Sequence, residues 1–132
     1  QFDFDNICKE INENKVLFTG THDNDTLVGW YKKELRKLFD NNSIRFQSDE
    51  LRQIISRNSK HIHLDIIKYC METKYPLVII PLQDLIGLNG DCRMNEPGTL
   101  NESNWSWKSI TEDISDNLIE TINTITYNSG RT

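Results

Sequence analysis

Lys15-Val16-Leu17-Phe18-Thr19-Gly20-Thr21-His22-Asp23-Asn24-Asp25-Thr26 is the stretch that decides the fold. Val16, Leu17 and Phe18 are consecutive apolar residues of fair to high strand propensity. So unbroken a run predicts a short strand over Lys15 to Thr19 buried on both faces, as in a parallel sheet. Gly20 stops it. The polar cluster after Gly20 ends in Asp25 and Thr26, and either can accept from the free N–H groups of a helix's first turn. Leu27, Trp30, Tyr31 and Leu35 then recur at helical spacing through Lys37 or beyond. The stretch reads as one βα unit.

Downstream the pattern repeats. Asp40 to Ser43 is a polar turn, and Ser48-Asp49-Glu50-Leu51 opens a helix with Leu51, Ile54 and Ile55 on one face. A further helix is predicted from about Lys60 to Thr73, with Ile62, Ile66, Ile67 and Cys70 toward a core. Tyr75-Pro76 ends it, because proline disfavours helix in the residue before it. Leu77-Val78-Ile79-Ile80 is a second buried strand, terminated by Pro81. Leu82 to Leu88 follows as a loop or short helical turn. Gly87, Gly90, Pro97 and Gly98 make a long irregular loop, and such loops often carry function. A final amphipathic helix spans roughly Ser109 to Ile125, with Ile110, Ile114, Leu118, Ile122 and Ile125 on one stripe. Two buried strands, each leading through a polar loop into helix, imply an α/β protein built of βα repeats. Two strands cannot close a barrel or make an independently stable parallel sheet, so further strands are expected upstream.

With 132 residues the chain has room for one domain and one core. The net charge of -5 and the interspersed acids and bases argue against a nucleic-acid partner, since phosphate binding relies on clustered Lys and Arg. Apolar runs such as Leu77 to Ile80 are too short to span a bilayer, so no membrane partner is expected. No basic-then-apolar leader precedes them, which leaves the cytoplasm as the expected location. Cys8, Cys70 and Cys92 are odd in number and widely spaced, and read as free thiols. The chain starts at Gln1 and runs straight into Phe2-Asp3-Phe4, which reads as a cut from something larger.

Three constellations can carry chemistry. Gly20 to Thr26 sits at the carboxyl end of a strand, the end at which β/α barrels and doubly wound sheets bind substrates. There His22 and Asp23 can hydrogen-bond sugar hydroxyls or stabilise developing positive charge, or they can simply flank a capped helix start. Pro81 to Leu88 follows the second strand, where Gln83 and Asp84 either line a pocket or cap the next turn. Arg93-Met94-Asn95-Glu96-Pro97-Gly98-Thr99 leads on to Asn104-Trp105-Ser106-Trp107. Pro97-Gly98 suits a type II turn. Asn95 can bond vicinal hydroxyls, and Trp105 or Trp107 can stack on a sugar or fill a core. His61 and His63 fall on different faces of a helix, and neither they nor Cys70 and Cys92 have metal-ligand spacing. A metal-dependent phosphohydrolase with a His-Asp doublet would set it in helices, whereas His22-Asp23 follows a strand.

Taken together these stretches resemble the 4-α-glucanotransferases of glycoside hydrolase family 77. The family pattern has a strand ending in TGTHDNDT, a helix start with GW, a strand ending in IPLQDLLGL, then ARMN-x-PGT and GNWxWR. Here they read Thr19 to Thr26, Gly29-Trp30, Ile80 to Leu88, Arg93 to Thr99 and Asn104 to Lys108, and Gln1-Phe2-Asp3-Phe4 resembles the family's QFAF. Ser103 stands where Gly is usual, Ser106 and Lys108 replace arginines, and Cys92 replaces Ala. Between Phe4 and Lys15 the chain lacks the family's Pro-His-Asn loop.

The resemblance implies a (β/α)₈ TIM barrel, of which residues 1–132 would be a C-terminal fragment carrying the last two strands, with no separate second domain. It implies transfer of α-1,4-glucan segments between malto-oligosaccharides, with retention, through a covalent glycosyl-enzyme intermediate. Retention needs two carboxylates about 5 Å apart, and in the family both lie upstream. Asp23 matches a third, transition-state-stabilising carboxylate. His22 matches a histidine binding the same sugar, and Asn95 and Pro97 fall in a loop near the site. No cofactor and no metal is implied. The partners expected are α-1,4-glucan and the missing N-terminal part of the barrel. A plastid location follows if a transit peptide was lost, and the isolated fragment is expected to be inactive. The alternative is a truncated, non-catalytic glucan-binding or interaction protein.

Overall fold

The computed structural model describes residues 14–35 and 49–131, with backbone alone at 34–35 and 49–52. Gln1 to Phe4, Cys8, the turn expected over Asp40 to Ser43, and the continuation of the first helix to Lys37 lie outside those residues. Two short strands, β1 (Val16–Phe18) and β2 (Leu77–Ile79), pair in parallel, with Val16 opposite Leu77 and Phe18 opposite Ile79. Parallel neighbours need a crossover connection. It is supplied by helices α1 (Leu27–Trp30, continuing as a π-turn over Tyr31–Leu35), α2 (Asp49–Ser56) and α3 (Ile62–Glu72).

The expectation that both strands are buried on both faces is corrected. Alternate residues of a strand face opposite ways, and only the face carrying Leu17 and Val78 packs on the helices. Val16, Phe18, Leu77 and Ile79 stand on the other face, each two-fifths or more exposed (41%, 41%, 50% and 42%). A continuous apolar run is the pattern of a strand covered twice, and among the described residues only one cover is present.

The core forms where the sheet's helix-facing side meets α1, α2 and α3. Leu17, Leu27, Ile55, Ile62, Ile66, Ile67, Cys70 and Tyr75 are buried together. Burial is the first cause pushing the Cys70 thiol up, to about 12, and the Asp84 carboxyl nearby adds to it. That thiol stays protonated, and both Cys70 and Cys92 are free. Each helix of the crossover begins or ends where a polar group can take up exposed backbone. The Thr26 hydroxyl accepts from the Gly29 N–H at 3.1 Å, and the Thr73 hydroxyl donates to the Cys70 carbonyl at 2.7 Å. No described helix is long and apolar enough to cross a membrane.

After β2 the chain makes a helical turn, α4 (Leu82–Ile86), which ends on Gly87 in the left-handed region at φ 82°. A Cβ at Gly87 would lie 2.6 Å from two atoms of the His63 ring. Burial, with His61 adding to it, holds the His63 imidazole below its ordinary pKa, so a neutral ring fills the space a Cβ would need. Gly87→Ala therefore meets both left-handed strain and a collision, and is expected to destabilise the fold by about 2–3 kcal/mol. A urea midpoint unchanged from wild type would refute this.

The last helix starts later than its apolar stripe suggests. Thr111–Asp113 is a 3₁₀ turn closed by the Asp113 carboxylate, which accepts from the Ile110 N–H at 2.8 Å. Helix α5 (Asp116–Asn128) begins only when the Ser115 hydroxyl accepts from the Leu118 N–H at 3.1 Å. Ile110 and Ile114 consequently sit outside the helix and are exposed. Beyond α5, the Arg131 guanidinium donates to the Met71 and Thr73 carbonyls, each at 2.7 Å. This ties the end of the chain to the carboxyl end of α3, where a positive charge also suits the helix dipole.

Candidate active site

The carboxyl end of β1 leads into a turn that is closed by its own side chain. Asn24 Oδ1 accepts from both the N–H and the hydroxyl of Thr21, at 2.7 and 2.8 Å, and the Asn24 N–H donates to the Thr21 carbonyl. Asn and Asp favour such turns because their side chains reach the nearby backbone. The two residues at the tip, His22 and Asp23, are thereby presented to solvent. Their side chains are 57% and 47% exposed, with His22 Nε2 3.3 Å from Asp23 Oδ2.

A second loop closes on this tip. Asn95 Nδ2 donates to Asp23 Oδ1 at 2.8 Å, and the Asn95 N–H donates to the His22 carbonyl at 3.1 Å. Arg93 locks the junction: Nη2 donates to the Asp23 carbonyl at 2.9 Å and Nε to the Asn95 carbonyl at 2.8 Å. Three of the four predicted site residues therefore meet. Pro97 does not reach the carboxylate. It is exposed at the corner of a turn over Glu96 to Thr99, where Gly98 takes φ 79° as a type II turn requires.

Trp105 also meets the tip. Its ring centroid is 5.2 Å from that of His22, at an interplanar angle of 37°, and the residue remains 58% exposed. Its backbone is left-handed at φ 62°, a conformation costing a bulky residue about 1–2 kcal/mol. The loop holds it there. The Trp105 N–H donates to the Met94 carbonyl, and the Asn104 amide donates to the carbonyl and hydroxyl of Thr99 while accepting from the Glu96 N–H.

Beneath the tip lies Asp84, 2% exposed. One of its oxygens accepts from the Thr19 hydroxyl and the other from the Leu27 N–H, each at 2.8 Å. It thus joins α4 to the end of β1 and to the first turn of α1. Loss of hydration raises its pKa, the two hydrogen bonds oppose that, and the Asp25 charge adds to the rise. Asp25 itself accepts from the Thr26 N–H and pairs with Lys33 at 2.6 Å. A cavity of about 480 Å³ opens between the strand ends, lined by His22, Gln83, Asp84 and Arg93 with Phe18 and Ile79 from the open sheet face. The lining includes neither Asp23 nor Asn95.

Chemically, a carboxylate, an imidazole and a carboxamide, all able to bond hydroxyls, stand together with an indole against the imidazole, and of these only the imidazole lines the apolar hollow. The sequence model of glycoside hydrolase family 77, described as 4-alpha-glucanotransferase, matches residues 1–112. The chain belongs to that family. It is 36% identical over 124 residues to the 4-alpha-glucanotransferase of Synechocystis sp., covering 91% of this chain and 22% of that one. The chloroplastic/amyloplastic 4-alpha-glucanotransferase of Solanum tuberosum is 37% identical over 106 residues, 80% of this chain and 17% of its own length. Among solved structures, amylomaltase from Streptococcus agalactiae in complex with acarbose superposes with a TM-score of 0.70 at 26% identity. The match covers 97% of this chain and 26% of that one. The chain thus spans about a fifth of the length of the glucanotransferases it matches.

Within this member of the family, two structural roles are invisible to motif reading. Arg93 stands in a matching stretch, but only the fold shows its guanidinium bridging two carbonyls. Asp84 lines the cavity, one of the two roles its sequence position allows, and it also accepts from residues 57 and 65 positions away. No spacing signal could have supplied either role.

Proposed function

We propose that the intact protein is a retaining 4-α-glucanotransferase, and that this chain supplies the carboxylate that steadies its transition state. The observation that carries the reading is the meeting of Asp23, His22 and Asn95 from two loops at the carboxyl ends of parallel strands. In a (β/α)₈ barrel that end is where substrate binds. Residues 1–132 would be the C-terminal part of the barrel, carrying its last two strands. The apolar sheet face with Phe18 and Ile79 would be covered by the remainder.

In this mechanism one upstream carboxylate attacks the anomeric carbon while a second, protonated carboxyl group gives its proton to the leaving oxygen, and that group then takes the proton of a second sugar's 4-hydroxyl as it resolves the glycosyl-enzyme intermediate. The Asp23 carboxylate accepts from hydroxyls of the sugar at the cleavage point, and its charge favours the oxocarbenium-like transition state. The Asn95 amide holds one oxygen of Asp23 and leaves the other to substrate and His22. Pro97 shapes the approach to the site. The substrates are malto-oligosaccharides or longer α-1,4-glucan, in the cytoplasm or, for a plastid member, in the stroma. No observation favours the non-catalytic glucan-binding alternative.

The test is incubation of the intact protein with maltotriose. It should yield glucose together with maltopentaose and longer chains, the new linkages all α, while the 132-residue chain alone yields none. Release of β-configured product would overturn the retaining mechanism. Absence of any product from the intact protein would overturn the transferase reading.

A further inference from the structure

Trp105 is the one described aromatic side chain that combines left-handed backbone, wide exposure and contact with the candidate site. A turn needing positive φ is served best by glycine or asparagine. Keeping tryptophan there has to be repaid by the ring. Little of that return is packing, since 58% of the residue is open to solvent and its ring contact is with His22. Trp107 differs: it is half-buried, with its side chain beside the Cys92 thiol. Strained residues held in place by their surroundings gather at binding sites. Here the surroundings are the Asn104 amide, bonded to Thr99 and Glu96, and the Met94 carbonyl.

We infer that the Trp105 indole is a stacking platform for a pyranose ring of the glucan, next to the ring that Asp23 holds. The inference rests on the transferase reading and deepens it. An aromatic face offers a large apolar area that needs little ordering, and a pyranose presents axial C–H groups to it while its hydroxyls stay outward. The tilted contact with His22 places such a ring against the tip of the first loop, so adjacent sugars of one chain would engage Trp105 and the His22–Asp23 pair together. Trp105 would then set affinity for the glucan, not the rate of bond cleavage.

The experiment compares the intact wild-type enzyme with Trp105→Gly and Trp105→Phe, using maltotriose. Glycine removes the ring and relieves the backbone, so Trp105→Gly should unfold at or above the wild-type midpoint. Its KM should rise about tenfold with a smaller change in kcat, whereas Trp105→Phe should stay within about threefold of wild type. Wild-type tryptophan fluorescence should shift on adding maltotriose, and that shift should be lost in both variants. A KM for Trp105→Gly within about twofold of wild type overturns the inference, whatever its stability. So does an equal rise in both variants, which would make the loop's shape the cause. A wild-type enzyme that neither turns over maltotriose nor responds to it in fluorescence overturns the transferase reading as well, whereas unchanged KM in a working enzyme overturns the Trp105 platform alone.

Discussion

Replacing Asp23 by Asn should lower glucan transfer by the intact enzyme roughly a thousandfold, while its unfolding midpoint stays put. The two halves of this expectation have separate causes. Asp23 is half-exposed, and its carboxylate meets Asn95 Nδ2 at 2.8 Å and His22 at 3.3 Å. An asparagine carbonyl accepts from Asn95 equally well, so the loop junction persists, all the more because Arg93 grips the backbone of both loops. On the proposed mechanism, what disappears is the negative charge beside a carbon that becomes positive as the glycosidic bond breaks. Because the interaction strengthens in the transition state, the loss should appear in kcat as well as in kcat/KM. Near-normal turnover of maltotriose by Asp23→Asn would remove Asp23 from the chemistry.

The second large effect concerns stability. Asp84→Ala should destabilise the fold by about 3 kcal/mol, because it leaves the Thr19 hydroxyl and the Leu27 N–H without acceptors in a buried setting. Asp84→Asn should cost far less. Its carbonyl can take the fixed Leu27 N–H, and the Thr19 hydroxyl can turn to accept from its amide. The two variants also differ from wild type in their response to pH. The folded pKa of Asp84 is raised, so the protonated form is the one the fold prefers. That contribution is complete below the ordinary aspartate range and is lost as pH rises through the folded value. Asp84→Asn carries no such proton, so wild type should lose stability relative to this variant as pH climbs from about 4. Urea midpoints measured across that range would refute the account if the difference between the two stayed constant.

What could be read in advance depended on how local its cause was. The parallel pair β1 and β2 follows from two apolar triplets bounded by Gly20 and Pro81, and the Thr26 cap follows from a hydroxyl placed before Leu27. Helix α5 starts later than the apolar spacing of Ile110 and Ile114 predicts, because that spacing continues through a 3₁₀ turn and the Ser115 cap outweighs periodicity. The π-turn over Tyr31–Leu35 has no signal in the order of residues. An unbroken apolar run predicts burial of the strands on both faces, but such a run records what a strand can tolerate, not what covers it. At the candidate site, His22, Asp23 and Asn95 were legible as residue types, and their convergence depended on the Arg93 bridge, which only the folded chain displays. Pro97 was legible as a turn former and sits in one.

The exposed row of Val16, Phe18, Leu77 and Ile79 bears on how this piece behaves in a test tube. Among the described residues, the two parallel strands also leave two unpaired edges beside that row, and β edges flanked by apolar side chains recruit further strands. The separated piece is therefore expected to stay dispersed when dilute and to join edge to edge when crowded. Charged residues introduced at Val16 and Leu77 would keep it in solution.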